Sequence, residues 1–443
     1  MPFIPNTNLQ RIQMLAEMGL DEDGLFADIP AELRCKGMNL PEPLAEQELR
    51  NLMSALAGRN RTDLISFLGG GFYDHFTPAA LDAILSRSEF YTAYTPYQPE
   101  ISQGTLQAMY EYQSAICRLT EMEVANASVY DGGTAIYEAI MMAMRVTGRR
   151  RVIVDQTVNP IYRKMIRSYT HNLGIELVET RPQNGRARRS EILDNLRVET
   201  AAVVLQNPNF FGMIDDFTDV AEMTAQHGAL SIVSCYPISL GILKTPGEMG
   251  VDIVTGEGQS LGLGLSFGGP YLGFMATRKK YMRKMPGRIS GRTVDEQGRD
   301  GFVMTLQARE QHIRREKATS NICTNQNLCA LTALTYLSLL GKQGLREVAQ
   351  SCADKTGYAK QRLLQVPGVR LKYPDRWHFN EFVLELPARA DQVIRRLLQR
   401  GVAAGFPLAA YYPDMEMSLL VALTEKRSKA DIDFFAHVLE ISL

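Results

Sequence analysis

The chain contains 443 residues, of which 45% are apolar and 22% charged, and its formal net charge is −1. This is the composition of a globular protein with a large core and two or three domains. The balanced charge excludes a global attraction to nucleic acid or to an anionic membrane, so we expect no partner of either kind.

The cysteines, histidines and apolar stretches add further expectations. The six cysteines form no CxxC pair, which indicates reduced thiols. The six histidines form no HxxxH pattern or His/Cys cluster, so no metal site is predicted. The first residues lack a signal-peptide pattern, and no stretch reaches the ~18 apolar residues that span a bilayer. Together these features predict a cytoplasmic protein.

Residues 1–65 are predicted to form an N-terminal helical arm. Helices are indicated at 7–18 and 44–57, with proline and glycine between them. Their apolar spacing favours an arm that lies on another surface over one that forms its own core. The arm leads into 64–71, an apolar run ending in three glycines, where the backbone either approaches another group closely or acts as a hinge.

Residues 66–340 alternate between short β-branched strands and helices, which predicts a large α/β domain with a parallel or mostly parallel sheet covered on both faces. Residues 285–301, rich in glycine and arginine, are predicted to be a solvated surface excursion. In residues 341–443 the predicted helices and strands follow a different order, which is typical of a smaller α+β domain. The predicted strands are 124–130, 151–154, 175–180, 201–205, 230–234, 252–255 and 271–276, and the predicted helices between them are 134–146, 161–170, 191–196 and 220–227.

The stretch 94–107, YTPYQPEISQGTLQ, precedes a long helical pattern and is a candidate site. Its two prolines disfavour helix and hold Tyr97 and Gln98 on a stiff loop with their side chains displayed. Tyr94 and Glu100 flank them. A plain turn with its tyrosines packed on the core is the alternative.

A second candidate is the turn VYDGGTA, where Gly132, Gly133 and Thr134 follow a predicted strand and open a helix. Free backbone N–H groups and a hydroxyl at a helix N-terminus suit a phosphate. The alternative is an ordinary helix cap with closely packed glycines. The turn matches neither GxGxxG nor a P-loop, which disfavours dinucleotide and nucleoside triphosphate ligands.

Five ordered motifs carry a resemblance to a known family: YTPYQPEISQG, DGGTAIYEA, LQNPNFFG, GEGQSLGL with SFGGPYLGFMA, and ATSNICTNQNL. The chain resembles the glycine cleavage system P-proteins, glycine dehydrogenases (decarboxylating), and among them the N-terminal-half-like first subunits of the split enzymes. The resemblance covers essentially the whole chain. It implies the pyridoxal phosphate (PLP) transferase fold, fold type I and aspartate aminotransferase-like.

That fold holds its cofactor with three features: a glycine-rich phosphate turn, an acidic residue at a strand end near the pyridine nitrogen, and a lysine that binds the cofactor covalently. Here the turn is present, but Ser234 stands where the acid is expected and Gln259-Ser260 where a His-Lys pair is expected. The resemblance therefore implies a degenerate PLP site at Gly132, Gly133, Thr134, Ser234, Gln259 and Ser260, and no catalytic residue on this chain alone.

The resemblance also implies partners. A homologous second subunit would carry PLP, in an α2β2 assembly that acts on glycine and on lipoylated H-protein. Contacts to the cofactor phosphate across the interface are expected from Thr319, Ser320 and Asn321, although a helix cap near Gln326 explains this segment equally well. Substrate-pocket or lipoyl-entrance residues are expected to be Tyr94, Tyr97, Gln98, Glu100, His75, Asn207 and Asn209, with a buried asparagine turn as the alternative for the last two.

Two other functions remain open from the sequence. One is a stand-alone, non-catalytic binding or scaffold protein on the same fold. The other is a self-sufficient PLP enzyme that uses an unexpected lysine, for which Lys244, Lys279 and Lys280 are the candidates. Lys244 follows too closely on the strand of Ser234, and Lys279 and Lys280 lie in a basic run at the surface.

Overall fold

The computed structural model describes residues 5–443, and this part of the chain forms two compact units, of which the first ends at Thr62 and the second spans residues 63–443. The described part of the first unit contains the helices α1 (Asn8–Glu17) and α2 (Glu46–Ala57) with two short 3₁₀ turns between them. Each helix begins with a hydrogen bond between a side chain and a backbone N–H group, made by Thr7 in α1 and by Glu48 in α2. The two helices predicted in this region are confirmed.

Residues 63–443 contain the remaining helices and all strands of the described chain. The helices are α3 (Ala80–Leu85), α4 (Ser88–Tyr91), α5 (Gln103–Thr120), α6 (Gly132–Thr147), α7 (Pro160–Thr170), α8 (Arg189–Asn195), α9 (Thr218–Gln226), α10 (Gln311–Arg314), α11 (Asn327–Leu363), α12 (Ala390–Gln399) and α13 (Lys429–Glu440). The strands are β1 (Ile65–Ser66), β2 (Val124–Ala125), β3 (Arg151–Asp155), β4 (Glu176–Thr180), β5 (Thr200–Asn207), β6 (Leu230–Cys235), β7 (Ile253–Glu257), β8 (Gly273–Thr277), β9 (Ile289–Val294), β10 (Asp300–Thr305), β11 (Arg370–Leu371), β12 (Glu381–Glu385), β13 (Val402–Ala403), β14 (Phe406–Pro407) and β15 (Ser418–Ala422).

Seven strands form the large sheet, in the order β2-β8-β7-β6-β5-β3-β4. Five neighbouring strands pair in parallel: β7, β6, β5, β3 and β4. The other two are antiparallel, since β8 pairs antiparallel with both β7 and β2. Successive residues of β5 face opposite cores: Val203 packs in the core that contains Tyr112 of α5, and Val204 in the core that contains Ile140 of α6. The predicted mostly parallel sheet, covered on both faces, is confirmed.

Four antiparallel strands form a second sheet, in the order β11-β12-β15-β14. Its core joins Phe382 and Leu419 of this sheet with Leu397 of α12 and Phe435 of α13. The long helix α11 reaches both cores, since its first half packs with the large sheet and its end with the second one. It contains a non-helical residue, Gly341, with φ 59° and ψ −173°. This lies beside the predicted domain boundary at 340, but the division into 1–65, 66–340 and 341–443 stays a prediction.

The prediction for residues 285–301 holds for only part of the segment. Residues 292–300 are exposed as predicted, but they form the tip of the antiparallel hairpin of β9 and β10, and residues 288–290 at its base are buried. Ser290 is buried, and its backbone N–H donates to Gln113 of α5 over 2.9 Å. The arginine and glycine content hid the strand, because only Ile289 and Ser290 of β9 are buried. No helix of the described residues is long and apolar enough to cross a membrane.

Candidate functional site

The carboxyl ends of the parallel strands border a small cavity of about 30 Å³. Ligands of open α/β sheets bind at such an edge. The walls include Ser234 of β6 and Glu257 of β7, together with Tyr73, Tyr162 and Glu381. This is the place where the sequence predicts the degenerate cofactor site.

A carboxylate of the chain itself lies at the N-terminus of α6. The backbone N–H of Gly132 donates to Glu257 Oε2 over 2.9 Å. The other oxygen of Glu257 accepts from the backbone N–H groups of Gln259 and Leu272, at 3.0 and 3.1 Å. A helix N-terminus with free N–H groups attracts anions. Glu257 therefore stands where the sequence led us to expect a phosphate.

Two opposing effects act on the pKa of this carboxyl group. Glu257 is buried, and the loss of solvation raises its pKa to about 8, with a further rise from the nearby Asp131 charge. The backbone N–H donors of Gly132, Leu272 and Gln259 act in the opposite direction, because they stabilise the charged form. The loss of solvation outweighs these donors, so the pKa of Glu257 lies above its ordinary value.

The rest of the predicted phosphate turn serves the helix itself. Asp131 caps α6 by accepting from the backbone N–H of Thr134 over 2.7 Å. Gly133 lies against Tyr162, where an added Cβ would be 2.8 Å from the ring atom Cδ1. The turn thus has the geometry of a closely packed helix cap.

Gln259 and Ser260, which replace the expected His-Lys pair, are both buried. The Gln259 amide holds the chain at Tyr73, because its oxygen accepts from the Tyr73 N–H over 2.9 Å and its nitrogen donates to the Tyr73 carbonyl over 3.1 Å. The Ser260 hydroxyl has no hydrogen-bond partner among the described residues. Ser234 is buried as well.

The glycine run at 69–71 packs into the same region. Glu381 Oε1 accepts from the backbone N–H of Gly70 over 2.6 Å, and its other oxygen accepts from the Tyr73 hydroxyl over 2.8 Å. An added Cβ on Gly69 would lie 2.2 Å from Glu381 Oε1. Burial raises the pKa of Glu381 to about 7. Of the two alternatives for this run, a close approach of the backbone to another group is therefore the one observed. The group that it approaches is the Glu381 carboxylate of β12.

The residues of this cavity do not fit PLP. A volume of about 30 Å³ holds roughly two water molecules at ~10–15 Å³ each, far less than a pyridine ring with a phosphate. The helix N-terminus is already bound by Glu257. No lysine lines the cavity within residues 5–443, and Lys244 instead pairs with Asp216 over 2.9 Å. Lys280 lies 3.9 Å from Asp252 and over the ring of Tyr281.

Asn207 is the last residue of β5 and Asn209 lies just beyond it, and both are buried. The Asn207 amide exchanges two hydrogen bonds with the backbone of Asp215, at 2.9 and 3.0 Å. Asn209 donates to the Gly185 carbonyl over 2.8 Å and accepts from the N–H groups of Phe211 and Met213. Their amides hold a turn, which is the alternative that the sequence left open; a role in a substrate pocket stays a prediction.

His75 is buried in a different network from the tyrosine loop. Its Nδ1 lies 2.6 Å from Glu425 Oε2, and its Nε2 contacts the hydroxyl of Tyr236. Cys352 Sγ lies 3.7 Å from the same Glu425 oxygen. The potential ligand atoms of His75, Cys352 and Glu425 lie within 4.8 Å of one another, a grouping that sequence spacing does not reveal.

A second cluster forms around Arg288, which is only 5% exposed. Its Nη2 donates to the Tyr97 hydroxyl over 3.1 Å, and its guanidinium lies over the Tyr97 ring, 5.5 Å from the centroid. Its Nη1 lies 3.1 Å from Thr324 Oγ1 and 3.2 Å from Asn325 Oδ1. The Tyr97 hydroxyl in turn donates to Glu310 over 3.1 Å. Arg288 thus joins the two segments, 94–107 and 318–325, that the sequence singled out separately.

The segment 318–325 also contacts α6. Ser320 Oγ donates to Glu138 Oε1 over 2.6 Å, and the N–H of Cys323 donates to the Tyr130 hydroxyl over 3.3 Å. Thr319 and Ser320 line a small pocket beside Arg288, whereas Asn321 is exposed. Their expected role as phosphate contacts for another subunit stays a prediction.

The other predicted loop residues lie at the surface of residues 63–443. Tyr94 is 77% exposed and Tyr97 40% exposed. Gln98 and Glu100 are exposed as well. The structure therefore places Tyr97 with 318–325 and places His75, Asn207 and Asn209 in other networks. Sequence reasoning missed Arg288, Glu310 and Glu257; for Glu257 the available signal was a carboxylate at the end of a buried strand, inside a motif already quoted.

Comparisons with known proteins agree on one family. The model of the family described as "Glycine cleavage system P-protein" matches residues 1–439. The chain is 54% identical to "Probable glycine dehydrogenase (decarboxylating) subunit 1" of Geotalea daltonii and 55% identical to the protein of the same name from Geotalea uraniireducens. Both alignments cover 100% of this chain and 100% of the relative.

Solved structures give the same result. A crystal structure of glycine decarboxylase (P-protein) of the glycine cleavage system, in inhibitor-bound form, matches with a TM-score of 0.94 and 44% identity over 100% of both chains. A sphingosine-1-phosphate lyase of Burkholderia pseudomallei matches with a TM-score of 0.67 at 15% identity over 93% of both chains, and shows the fold alone. The predicted fold class, PLP-dependent transferase fold type I, is confirmed. Because the family model and these relatives extend over essentially the whole chain, the protein belongs to the glycine cleavage system P-protein family.

Proposed function

We propose that this chain is subunit 1 of a heteromeric glycine dehydrogenase (decarboxylating). It pairs with a homologous second subunit that carries PLP, in an α2β2 assembly. The assembled enzyme decarboxylates glycine and transfers the aminomethyl group to the lipoyl arm of H-protein. The relatives named "subunit 1", which match this chain from end to end, support a second subunit.

The observation that carries the proposal is the closure of this chain's own cofactor position. Glu257 binds the N-terminus of α6, and the remaining cavity of about 30 Å³ is bordered by Tyr73 and Glu381 rather than by a lysine. A chain of this family that cannot hold the cofactor itself needs another subunit to supply it. PLP would there supply an electron sink for the carbanion formed when glycine loses CO2.

The role we assign to this chain is to complete the site of the second subunit. Tyr97 and the segment 318–325 are held together by Arg288, and both have exposed groups: Tyr97 is 40% exposed, and Cys323 and Asn321 are exposed. We expect Tyr97, with Tyr94, Gln98 and Glu100 beside it, to border the glycine pocket or the lipoyl entrance. We expect Thr319 and Ser320, which line a small pocket beside Arg288, to contact the cofactor phosphate of the second subunit together with Asn321.

The test uses the purified chain alone, and then with the second subunit and lipoylated H-protein. We expect the chain alone to give no cofactor absorbance with added PLP and no exchange between glycine and labelled CO2. Exchange should appear when the second subunit is added and rise with H-protein. A cofactor band on this chain alone would instead support a self-sufficient enzyme with an unusual lysine.

The absence of any gain in exchange with the correct second subunit would overturn the proposal. It would leave a stand-alone binding or scaffold protein as the remaining function. Size measurement of the mixture distinguishes a complex that is inactive from two subunits that do not associate. A cytoplasmic location also stays a prediction, which localisation of the tagged chain in cells would check.

A further inference from the structure

Three potential metal ligands from separate parts of the chain meet beside α11. His75 lies between β1 and α3, Cys352 within α11, and Glu425 between β15 and α13. One imidazole nitrogen, the thiol sulfur and one carboxylate oxygen all lie within 4.8 Å of one another. We call these three residues the His75 cluster. The sequence predicts no metal site, because the three residues form no short motif.

The distances within the His75 cluster are close to those of a tetrahedral metal site. Zinc bonds of ~2.0–2.1 Å to nitrogen and oxygen and ~2.3 Å to sulfur place neighbouring ligand atoms ~3.3–3.6 Å apart. Cys352 Sγ lies 3.7 Å from Glu425 Oε2, close to this spacing. His75 Nδ1 lies 2.6 Å from the same oxygen, so a bound ion requires this pair to separate by only ~0.7 Å.

Other contacts already orient two of the ligands. The Nε2 of His75 contacts the Tyr236 hydroxyl, which leaves Nδ1 toward Glu425. Glu425 Oε1 accepts from the backbone N–H of Phe76 over 2.6 Å, so Oε2 is the oxygen left for a metal ion. Metal-binding histidines and carboxylates usually have such partners for their second polar atom, which fix the orientation of the ligand.

Burial and charge also suit a divalent cation. Cys352 is fully buried and His75 is 7% exposed. A thiolate and the Glu425 carboxylate together carry two negative charges, which balance one divalent ion. Lys355 opposes a cation, but its ammonium group is held by the backbone carbonyl of Glu425. The two basic residues that follow Glu425 are paired with Asp74.

The His75 cluster can be reached from solvent. An open pocket of about 390 Å³ is bordered by His75 and the neighbouring Phe76. The side chain of Glu425 is 16% exposed. A metal ion needs an entry path of this kind to reach otherwise buried ligands.

We propose that the His75 cluster binds one zinc ion through His75 Nδ1, the Cys352 sulfur and Glu425 Oε2. On binding, the thiol releases its proton to solvent and three metal–ligand bonds form, without a change of oxidation state. Water takes the fourth position, as in zinc sites with three protein ligands. The mixed nitrogen, sulfur and oxygen set favours zinc over magnesium or calcium, which prefer oxygen alone. This inference goes beyond the proposed function, because it assigns a metal site to this chain.

The experiment measures zinc binding to the purified chain under reducing conditions, after metal removal with a chelator. Every protein carries Cys35→Ser and Cys323→Ser, which remove the two exposed thiols, and the chain with these two changes is the parent. We expect the parent to bind one zinc ion, measured by competition with a chromophoric chelator. Its thermal midpoint should rise with zinc in a saturable way. Co²⁺ in place of zinc should give the absorption of a cobalt–thiolate bond.

Cys352→Ala should weaken zinc binding at least about 100-fold and abolish the cobalt–thiolate absorption, since a direct ligand is lost. Cys329→Ala is the matched control, because Cys329 is another buried cysteine of α11, and it should bind zinc like the parent. Tyr236→Phe keeps all three ligands, so it tests the site even if Cys352→Ala fails to fold. Loss of the hydroxyl that contacts Nε2 should weaken zinc binding by about 10–100-fold.

Two results would overturn the proposal. One is a parent protein that binds no zinc or gives no cobalt–thiolate absorption. The other is an equal zinc affinity of the parent, Cys352→Ala and Tyr236→Phe. Neither measurement requires the second subunit or glycine–CO2 exchange, so failure of the proposed function is distinguished from failure of this inference.

Discussion

Glu257 accepts a hydrogen bond from the backbone N–H of Gly132 over 2.9 Å, at the first turn of α6. A helix N-terminus of this kind is suited to a phosphate. Here its backbone N–H group is bound instead by a carboxyl group of β7, which is separated in the sheet by β8 from β2, the strand before α6. The N-terminus of α6 is therefore occupied by a carboxyl group of the chain itself. The position at which the sequence predicts a phosphate thus holds the Glu257 side chain.

Glu257→Gln should change the pH dependence of stability. The pKa of Glu257 is raised to about 8 in the folded chain from an ordinary value of 4.5, so between these values the folded state binds a proton that the unfolded state has lost. The free energy of unfolding then falls as pH rises, by at most about 1.4 kcal/mol per pH unit. The glutamine variant lacks this contribution, and its stability should fall less steeply across that range.

Denaturant unfolding of wild type and variant at several pH values checks this prediction. The difference between the two curves isolates Glu257, because the contribution of Glu381, whose pKa is raised to about 7, is common to both. The variant should also be less stable at low pH, by roughly 1–3 kcal/mol, since one of the three backbone N–H donors loses its acceptor. Parallel curves would show that Glu257 does not titrate in this range.

Gly69→Ala should destabilise residues 63–443. The added Cβ would lie 2.2 Å from Glu381 Oε1 and 2.5 Å from the Ala422 Cβ, so β12 or β15 would have to move. Overpacking of this kind costs about 1–3 kcal/mol. Gly357→Ala in α11 is the control, because nothing lies within 4 Å of its added Cβ and alanine favours helix by ~1 kcal/mol. Thermal midpoints that move in the same direction for both variants would contradict the prediction.

Local patterns predicted much of the fold because the determining residues are close in sequence. The β-branched strands and intervening helices specify a mostly parallel sheet, and helices such as α6 and α7 begin within a few residues of their predicted starts. Proline stiffening likewise singled out the Tyr97 loop. The contact between Tyr97 and Arg288 was not predictable. Arg288 lies 191 residues from Tyr97 in sequence, inside a charged run that is typical of a solvated surface.

The cavity beside Glu257 shows a second limit of sequence reasoning. Ser234 and Ser260 led us to predict a degenerate site, but they did not indicate that Glu257 binds the N-terminus of α6. Tyr73 and Glu381, which border the cavity, are 308 residues apart, and neither belongs to a motif of the cofactor site. Their proximity depends on how β12 meets the large sheet, which local periodicity does not specify.

Tyr97→Phe should lower the activity of the assembled complex without dissociating it. The variant loses the hydroxyl that accepts from Arg288 and donates to Glu310, each over 3.1 Å, while the ring that lies under the guanidinium remains. We expect a loss of stability of about 1 kcal/mol and a decrease in glycine–CO2 exchange of up to roughly tenfold. Tyr97→Ala should lower exchange further.

Tyr91→Phe is the matched control, because Tyr91 ends α4 just before this loop, is 69% exposed, and its hydroxyl has no hydrogen bond to the described residues. Exchange activity, complex size and thermal midpoint are measured for each variant. A complex with Tyr97→Ala that is intact and fully active would show that the loop is only structural. Loss of assembly by Tyr97→Phe would place the hydroxyl in subunit association instead.

The apolar face of α2 should bind the second subunit. Leu49, Leu52, Met53 and Leu56 recur at helical spacing and are 45% to 55% exposed. Leu52→Asp with Leu56→Asp places two charges on this face, so we expect assembly with the second subunit to weaken at least about tenfold, with the thermal midpoint of the isolated chain unchanged. Ser54→Asp, an exposed position off this face, is the control and should assemble normally. Titration of the second subunit, followed by complex size, measures the effect; unchanged assembly of the double variant would exclude this face from the interface.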